Sequence, residues 1–275
     1  MIATNPSPLA REFRETGRSE SCPVIDMHGH YGPFQGIYFP SSTAEDMIGT
    51  MDRAGVSMIV CSSHHSLIDS QAGNERMAEV VRQNPGRISA YWCINPNDPA
   101  LIEKQLAEIS GKPEFVGFKF LSDYHKYPIT GENYAPAIEY AQEHRMPILM
   151  HTWGGSSFDG PKLVDEVAKR FPDVTILMGH SGFGEWDVAI DVASRHPNVY
   201  LELTAAYAVN RAIEMMVDGA GSHKVLYGTD LPWFDPHYAI GCILYARITD
   251  EDRRNILHRN AEKILSRTEK SSFEA

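Results

Sequence analysis

The sequence predicts a single (β/α)8 barrel, and three observations point to it. Short β-branched or aromatic runs alternate with amphipathic helical stretches along nearly the whole chain. There are eight such pairs, in a chain of 275 residues, a length that one barrel fills comfortably. No repeat of shared residues and no Pro- or Gly-rich linker divides them, so the expected unit is residues 1–275, with its core at about 24–265.

Element by element, the expected strands are 24–28, 57–61, 88–94, 115–120, 147–151, 174–178, 199–203 and 224–227. The helices between them are expected at 44–54, 74–83, 99–109, 134–144, 162–170, 185–195, 210–217 and 238–247, with apolar residues at three- and four-residue spacing, as in Val164, Val167, Ala168 and Phe171. Gly55, the Asn84-Pro85-Gly86 run and His196-Pro197-Asn198 follow predicted helices and stop them. Residues 249–266 read as helical packing across the barrel. The first residues read as a polar extension and the last, TEKSSFEA, as a frayed tail.

Composition excludes several classes. Hydrophobic and charged fractions of 43% and 22% are those of a globular protein. No apolar run reaches the ~18 residues of a membrane span, and the polar start has no secretory h-region. Thirty-six acidic against 25 basic residues leave a formal charge of −11 without a basic block, which argues against nucleic acid or an anionic membrane as partner; a small-molecule substrate is the expected partner. Cys22, Cys61, Cys93 and Cys242 form no CxxC pair or disulfide framework, so reduced thiols in the cytoplasm are expected. A symmetric homodimer is the base-rate assembly.

The informative pattern is where ionisable residues fall. The first strand ends in Asp26-Met27-His28-Gly29-His30, and alternation puts Asp26, His28 and His30 on one face. The fourth carries Lys119 in VGFKF, the fifth ends at His151, the sixth is followed by His180, and the eighth ends at Asp230 in YGTDLPW. In a parallel barrel these strand ends gather on one rim, where such folds keep their active sites. A lone histidine at a strand end is ordinarily a satisfied polar residue and HxH alone is weak; five strand ends converging on one rim is a site. Histidine and aspartate in that number suit zinc, with manganese or iron as alternatives. Tyr124, His125 and Trp153 lie in rim loops and are weaker candidates for substrate contact, as are His64 and His65. Cys61 and Cys93 read as packing residues.

The motifs IDMHGH, GFKF, PILMHT, ILMGHSG and YGTDLPW, in that order, resemble the amidohydrolase superfamily, and within it the amidohydrolase-related branch of metal-dependent hydrolases, lactonases and non-oxidative decarboxylases. The resemblance runs from about Val24 to about Leu265. It implies a (β/α)8 barrel with one or two divalent metals at the C-terminal rim. His28, His30, His151 and Asp230 would be ligands, with His180 either a second-metal ligand beside Lys119 or the group that orients water. Lys119 stands where some subgroups carry a carboxylated lysine bridging two metals. The expected activity is hydrolysis of an amide, ester or lactone, with Asp230 moving the proton. Decarboxylation of a small carboxylic acid and metal-independent lactone hydrolysis are the alternatives.

Overall fold

The computed structural model describes residues 7–34 and 36–268. Eight parallel strands follow one another around a barrel in chain order. They are β1 (Ile25–Tyr31), β2 (Met58–Ser63), β3 (Ile88–Cys93), β4 (Phe115–Phe120), β5 (Ile148–Trp153), β6 (Ile176–Phe183), β7 (Val199–Glu202) and β8 (Val225–Leu226). The last is only two residues long, yet the ring closes through it and the chain beyond. Met27 N–H donates to Tyr227 O at 3.0 Å, and His30 N–H to Leu231 O at 2.8 Å.

The helices are α1 (Pro8–Thr16), α2 (Ala44–Ala54), α3 (Ser70–Gln83), α4 (Pro99–Ile109), α5 (Ser122–His125), α6 (Ala135–Glu143), α7 (Pro161–Arg170), α8 (Trp186–Arg195), α9 (Ala212–Ala220), α10 (Pro236–Tyr245), α11 (Asp250–Arg254) and α12 (Asn260–Leu265). A wider helical turn, Asn255–Arg259, joins the last two. Their ends carry the expected signals. Thr43 caps α2 by accepting from Asp46 N–H, and Gly55 ends that helix at φ +86°, where a side chain would be strained. Asp98 caps α4, whose first residue is Pro99.

Within the polar N-terminal extension, Ser7 and Pro8 start α1, which packs Leu9 and Ala10 inward. A serine cap followed by proline is the signal for that helix. Residues 249–266 are helical as expected. The TEKSSFEA tail beyond Thr268 lies outside the described residues.

Two apolar layers hold the barrel. Helices pack on the outside of the strands around residues such as Ile59, Phe118, Ile148, Ile176 and Leu201. Inside, Ile25, Met27, Tyr91, Leu149, Leu177 and Leu226 pack on Ala261, Ile264 and Leu265 of α12. Strands buried on both faces read as continuous apolar runs, which is why their cores were visible in the sequence. Because α12 packs at the strand starts, a cavity inside the ring can open only at the opposite, C-terminal rim. Among the described residues no helix is long and apolar enough to cross a membrane, and all four cysteines are free.

Candidate metal centre

His28, His30, Lys119, His151, His180 and Asp230 meet at that rim. Among the described residues, His28, His180 and Asp230 form a buried group whose ligand-type atoms lie within 4.8 Å of one another. Asp230 Oδ1 is 2.9 Å from His28 Nε2 and 3.2 Å from His30 Nε2, and Oδ2 is 3.8 Å from His180 Nδ1. Lys119 Nζ sits 2.6 Å from His28 Nε2. His151 stands beside His180, ring centroids 5.0 Å apart. The tightest group therefore contains the β6 histidine, His180, rather than His151.

Two carboxylates that the sequence did not single out orient these rings. Glu202 Oε2 accepts from His28 Nδ1 at 2.7 Å and from His180 N–H at 3.2 Å. Its Oε1 accepts from Thr204 N–H at 2.7 Å and from the Thr204 hydroxyl at 2.5 Å. Since a carboxylate only accepts, His28 carries its proton on Nδ1 and turns the lone pair of Nε2 toward the centre. Asp159, fully buried in the loop after β5, accepts from His151 Nδ1 at 2.7 Å in the same way. A glutamate at the end of VYLE and an aspartate in a Gly/Ser loop carry no local signature. Only the return of the chain beside the histidines reveals them.

Asp26 does not share a face with His28 and His30. The β1–β2 register slips between Asp26 and Gly29, so an extra residue on β1 shifts the alternation. Ile25 and Met27 face the interior, and Asp26 turns the other way to tie β1 to the residues after β8. It accepts from His28 N–H at 3.0 Å, Thr229 N–H at 3.1 Å and the Thr229 hydroxyl at 2.5 Å. Burial pushes its carboxyl up to about 7.

The backbone is strained where the site is built. His180, Ser181 and Asp230 have φ of 61°, 51° and 58°, a left-handed region that costs a non-glycine residue about 1–3 kcal/mol. Glu202 and its neighbours hold His180 and Ser181 there, the Ser181 hydroxyl donating to Glu202 O at 2.8 Å. Asp230 N–H donates to His28 O at 2.7 Å.

The donor set suits a cation. Burial holds His30 and His180 well below the usual imidazole range, so both present neutral nitrogens. Burial would raise Asp230, but the His28 and His180 imidazoles outweigh it and keep this carboxyl well below its ordinary value. Burial would likewise depress His28, and the Asp230 carboxylate turns the balance upward. Burial also lowers Lys119 to about 8. His180 Nδ1 and Asp230 Oδ1 are buried with no hydrogen-bond partner in the protein. Buried polar atoms left unpaired are expensive, and a divalent ion among these residues would satisfy both.

Above the centre is a cavity of about 200 Å³. Tyr124, Trp153, Trp233, Phe34 and Leu67 wall it, and His30, Lys119, His151, His180 and Asp230 line its floor. Trp153 stacks on Phe183, centroids 4.5 Å apart, and Tyr124 meets His151 edge-on at 5.4 Å. His125, one residue on, does not line this cavity; one helical step in α5 turns it away from Tyr124. His64 is buried in the wall. Its ring is stacked on His30 at 4.8 Å, its Nδ1 donates to Gly32 O at 2.8 Å, and its Nε2 accepts from Trp233 Nε1–H at 3.0 Å. His65 is exposed.

A parallel eight-stranded barrel with a histidine–aspartate cluster at its C-terminal rim defines an enzyme of the metal-dependent barrel class. A family model described as amidohydrolase matches residues 25–267, and the chain belongs to that family. An enamidase from Eubacterium barkeri is 25% identical over 229 residues, 76% of this chain and 56% of the relative, so the chain spans just over half that protein's length. Among solved structures, an uncharacterised TIM-barrel protein from Bordetella bronchiseptica superposes with a TM-score of 0.76 at 20% identity, over 89% of this chain and 99% of the other. A 5-carboxyvanillate decarboxylase from Sphingomonas paucimobilis gives 0.72 at 15% identity, over 89% and 99%. A dihydroxybenzoic acid decarboxylase from Polaromonas, solved with manganese and an inhibitor bound, gives 0.73 at 15%, over 92% and 100%. At these identities the superpositions speak for the fold alone. The family and the His28–His180–Asp230 group support a divalent-metal enzyme of the amidohydrolase superfamily.

Proposed function

We propose that this protein is a hydrolase that adds water to the carbonyl of a small, ring-bearing ester, lactone or amide. The observation that carries the reading is the Asp230 carboxylate, 2.9 Å from His28 Nε2 and 3.2 Å from His30 Nε2, at the floor of a ring-walled cavity. His28, His30, His180 and Asp230 would hold one divalent ion, with His151 completing the set. An imidazole-rich donor set favours zinc over manganese. Such an ion supplies Lewis acidity, lowering the pKa of a bound water from 15.7 to about 7 and polarising a carbonyl oxygen.

Asp230, ionised at the outset, accepts the proton of the attacking water and returns it to the leaving oxygen or nitrogen. Glu202 and Asp159 keep His28 and His151 in the tautomer that offers Nε2. The rings of Trp153, Tyr124 and Trp233 exclude bulk water and lie flat against a planar substrate. Lys119 Nζ, close to His28 and on the cavity floor, is placed to face developing negative charge. A cavity of about 200 Å³ suits a small substituted ring, since an apolar cavity of ~150 Å³ already takes benzene.

Decarboxylation is the second reading. Lys119 beside a ring-walled cavity would also hold an aromatic carboxylate. That chemistry needs a proton donor at the start, and Lys119, on the cavity floor and lowered only to about 8, is the group placed to give it. The test is to load the protein with zinc or manganese, count metal per chain, and assay aryl esters, lactones, N-acyl amides and hydroxybenzoates in ¹⁸O-water. One metal per chain and label in the acid product are expected. Carbon dioxide from a hydroxybenzoate, with no turnover of any ester, lactone or amide, would overturn the hydrolase reading.

A further inference from the structure

The cavity over the candidate metal centre adjoins another. A second and larger cavity, about 850 Å³, shares Phe34, Ser63, His64, Leu67 and Tyr124 with the inner one. These five residues form a neck between two chambers. The neck is fixed on one side, because His64 is held by Gly32 O and Trp233 and lies face to face with Phe39, centroids 5.5 Å apart.

The outer chamber differs in chemistry. The inner one is walled by rings. The outer one is lined by Arg76, Ser42 and the exposed His65. Arg76 lies over the Tyr31 ring, 5.7 Å from its centroid, and donates to the Tyr31 hydroxyl at 3.2 Å. That contact fixes the fork in place before any ligand arrives. Its partner Glu79, 3.0 Å away, is half exposed, as Arg76 is, and an exposed pair of this kind binds weakly and exchanges readily. The chain holds 36 acidic against 25 basic residues, yet no aspartate or glutamate is among the described residues that line this chamber. Arg76 is the one Lys, Arg, Asp or Glu side chain among those described residues, and only the exposed Glu79 contests its charge.

We propose that the outer chamber is a second binding subsite, which takes a carboxylate at the far end of an elongated substrate while the reacting carbonyl passes the neck into the inner chamber. The chemistry in the inner chamber rests on the hydrolase reading; the subsite itself does not. Arg76 offers the bidentate fork that matches a carboxylate, and the inner cavity is too small to hold both ends of such a molecule.

The test is calorimetric titration of the zinc-loaded protein with α,ω-dicarboxylates of increasing length, against monocarboxylates of the same length. Dicarboxylates long enough to span the neck should bind about tenfold tighter than the matching monocarboxylates. Arg76→Ala should erase that difference, and Arg76→Lys should restore part of it. Equal affinity for both series at every length, or an Arg76→Ala protein that keeps the preference, would overturn the proposal. Length-dependent dicarboxylate binding without hydrolysis of any ester would support the subsite while counting against the hydrolase reading.

Discussion

Glu202 shows how much of this centre depends on one side chain that touches no reacting atom. It is fully buried, and its two oxygens collect four donors from β1, β6 and its own turn. Glu202→Gln would put an amide NH2 where a donor already points, at His180 N–H and His28 Nδ1 or at Thr204. The His28 ring would then lose its fixed tautomer. Orienting partners of this kind are typically worth 10–100-fold in metal affinity, and chelator competition should show a loss of that size; an unchanged dissociation constant would mean that Glu202 serves packing alone. At this scale the sequence was half legible. His28, His30, Lys119, His151, His180 and Asp230 were readable because each sits at a strand end with a turn behind it. Glu202 and Asp159 were not, because a carboxylate's role depends on which imidazole the fold lays beside it. Asp26 was misplaced for a similar reason: an alternation rule has no way to register the bulge at residues 26–29.

Elements were most legible where punctuation and periodicity agree. The expected bounds of α2, α4 and β4 coincide with the observed ones, each helix being closed by a cap residue at its start. β5 and β6 run further than expected, to Trp153 and Phe183, since backbone pairing continues past the apolar run into the polar residues of the rim. Lateral fastening between helices shows nothing in a periodicity scan, and Asp165 is an example. From α7 it accepts from Lys169 at 2.6 Å, from Arg195 at the end of α8 at 3.0 Å, and from His196 at 2.7 Å. Burial would raise its carboxyl, but these three donors hold it down to about 2, against an ordinary 3.8. A depressed carboxyl stabilises the fold above its ordinary value, and that contribution is lost as pH falls through 3.8 toward 2. Because the lysine and arginine are exposed and solvent screens the pairing, urea unfolding at pH 5 and pH 3 should show Asp165→Asn losing about 0.5 kcal/mol less than the parent over that interval. Equal losses would show that the three donors do not act on the carboxylate.

For the whole molecule, the candidate ligands bridge the seam of the barrel. His28 lies on the first strand and Asp230 just past the last, where the seam is held by backbone bonds around a two-residue β8 and by the Asp26–Thr229 clamp. An ion bound there binds the folded chain and not the unfolded one, so it adds about 2.7 kcal/mol at a hundredfold excess over its dissociation constant. At about 2–4 °C per kcal/mol for a chain of this size, zinc should raise the melting temperature by roughly 5–10 °C and a chelator should reverse it. A melting curve indifferent to both would show that these residues hold no ion. The same seam has a consequence for biosynthesis. A ribosome delivers His28 and His30 early, but Glu202 and Asp230 come only after more than 170 further residues. The nascent chain therefore cannot bring these side chains together until the last strand has joined the first.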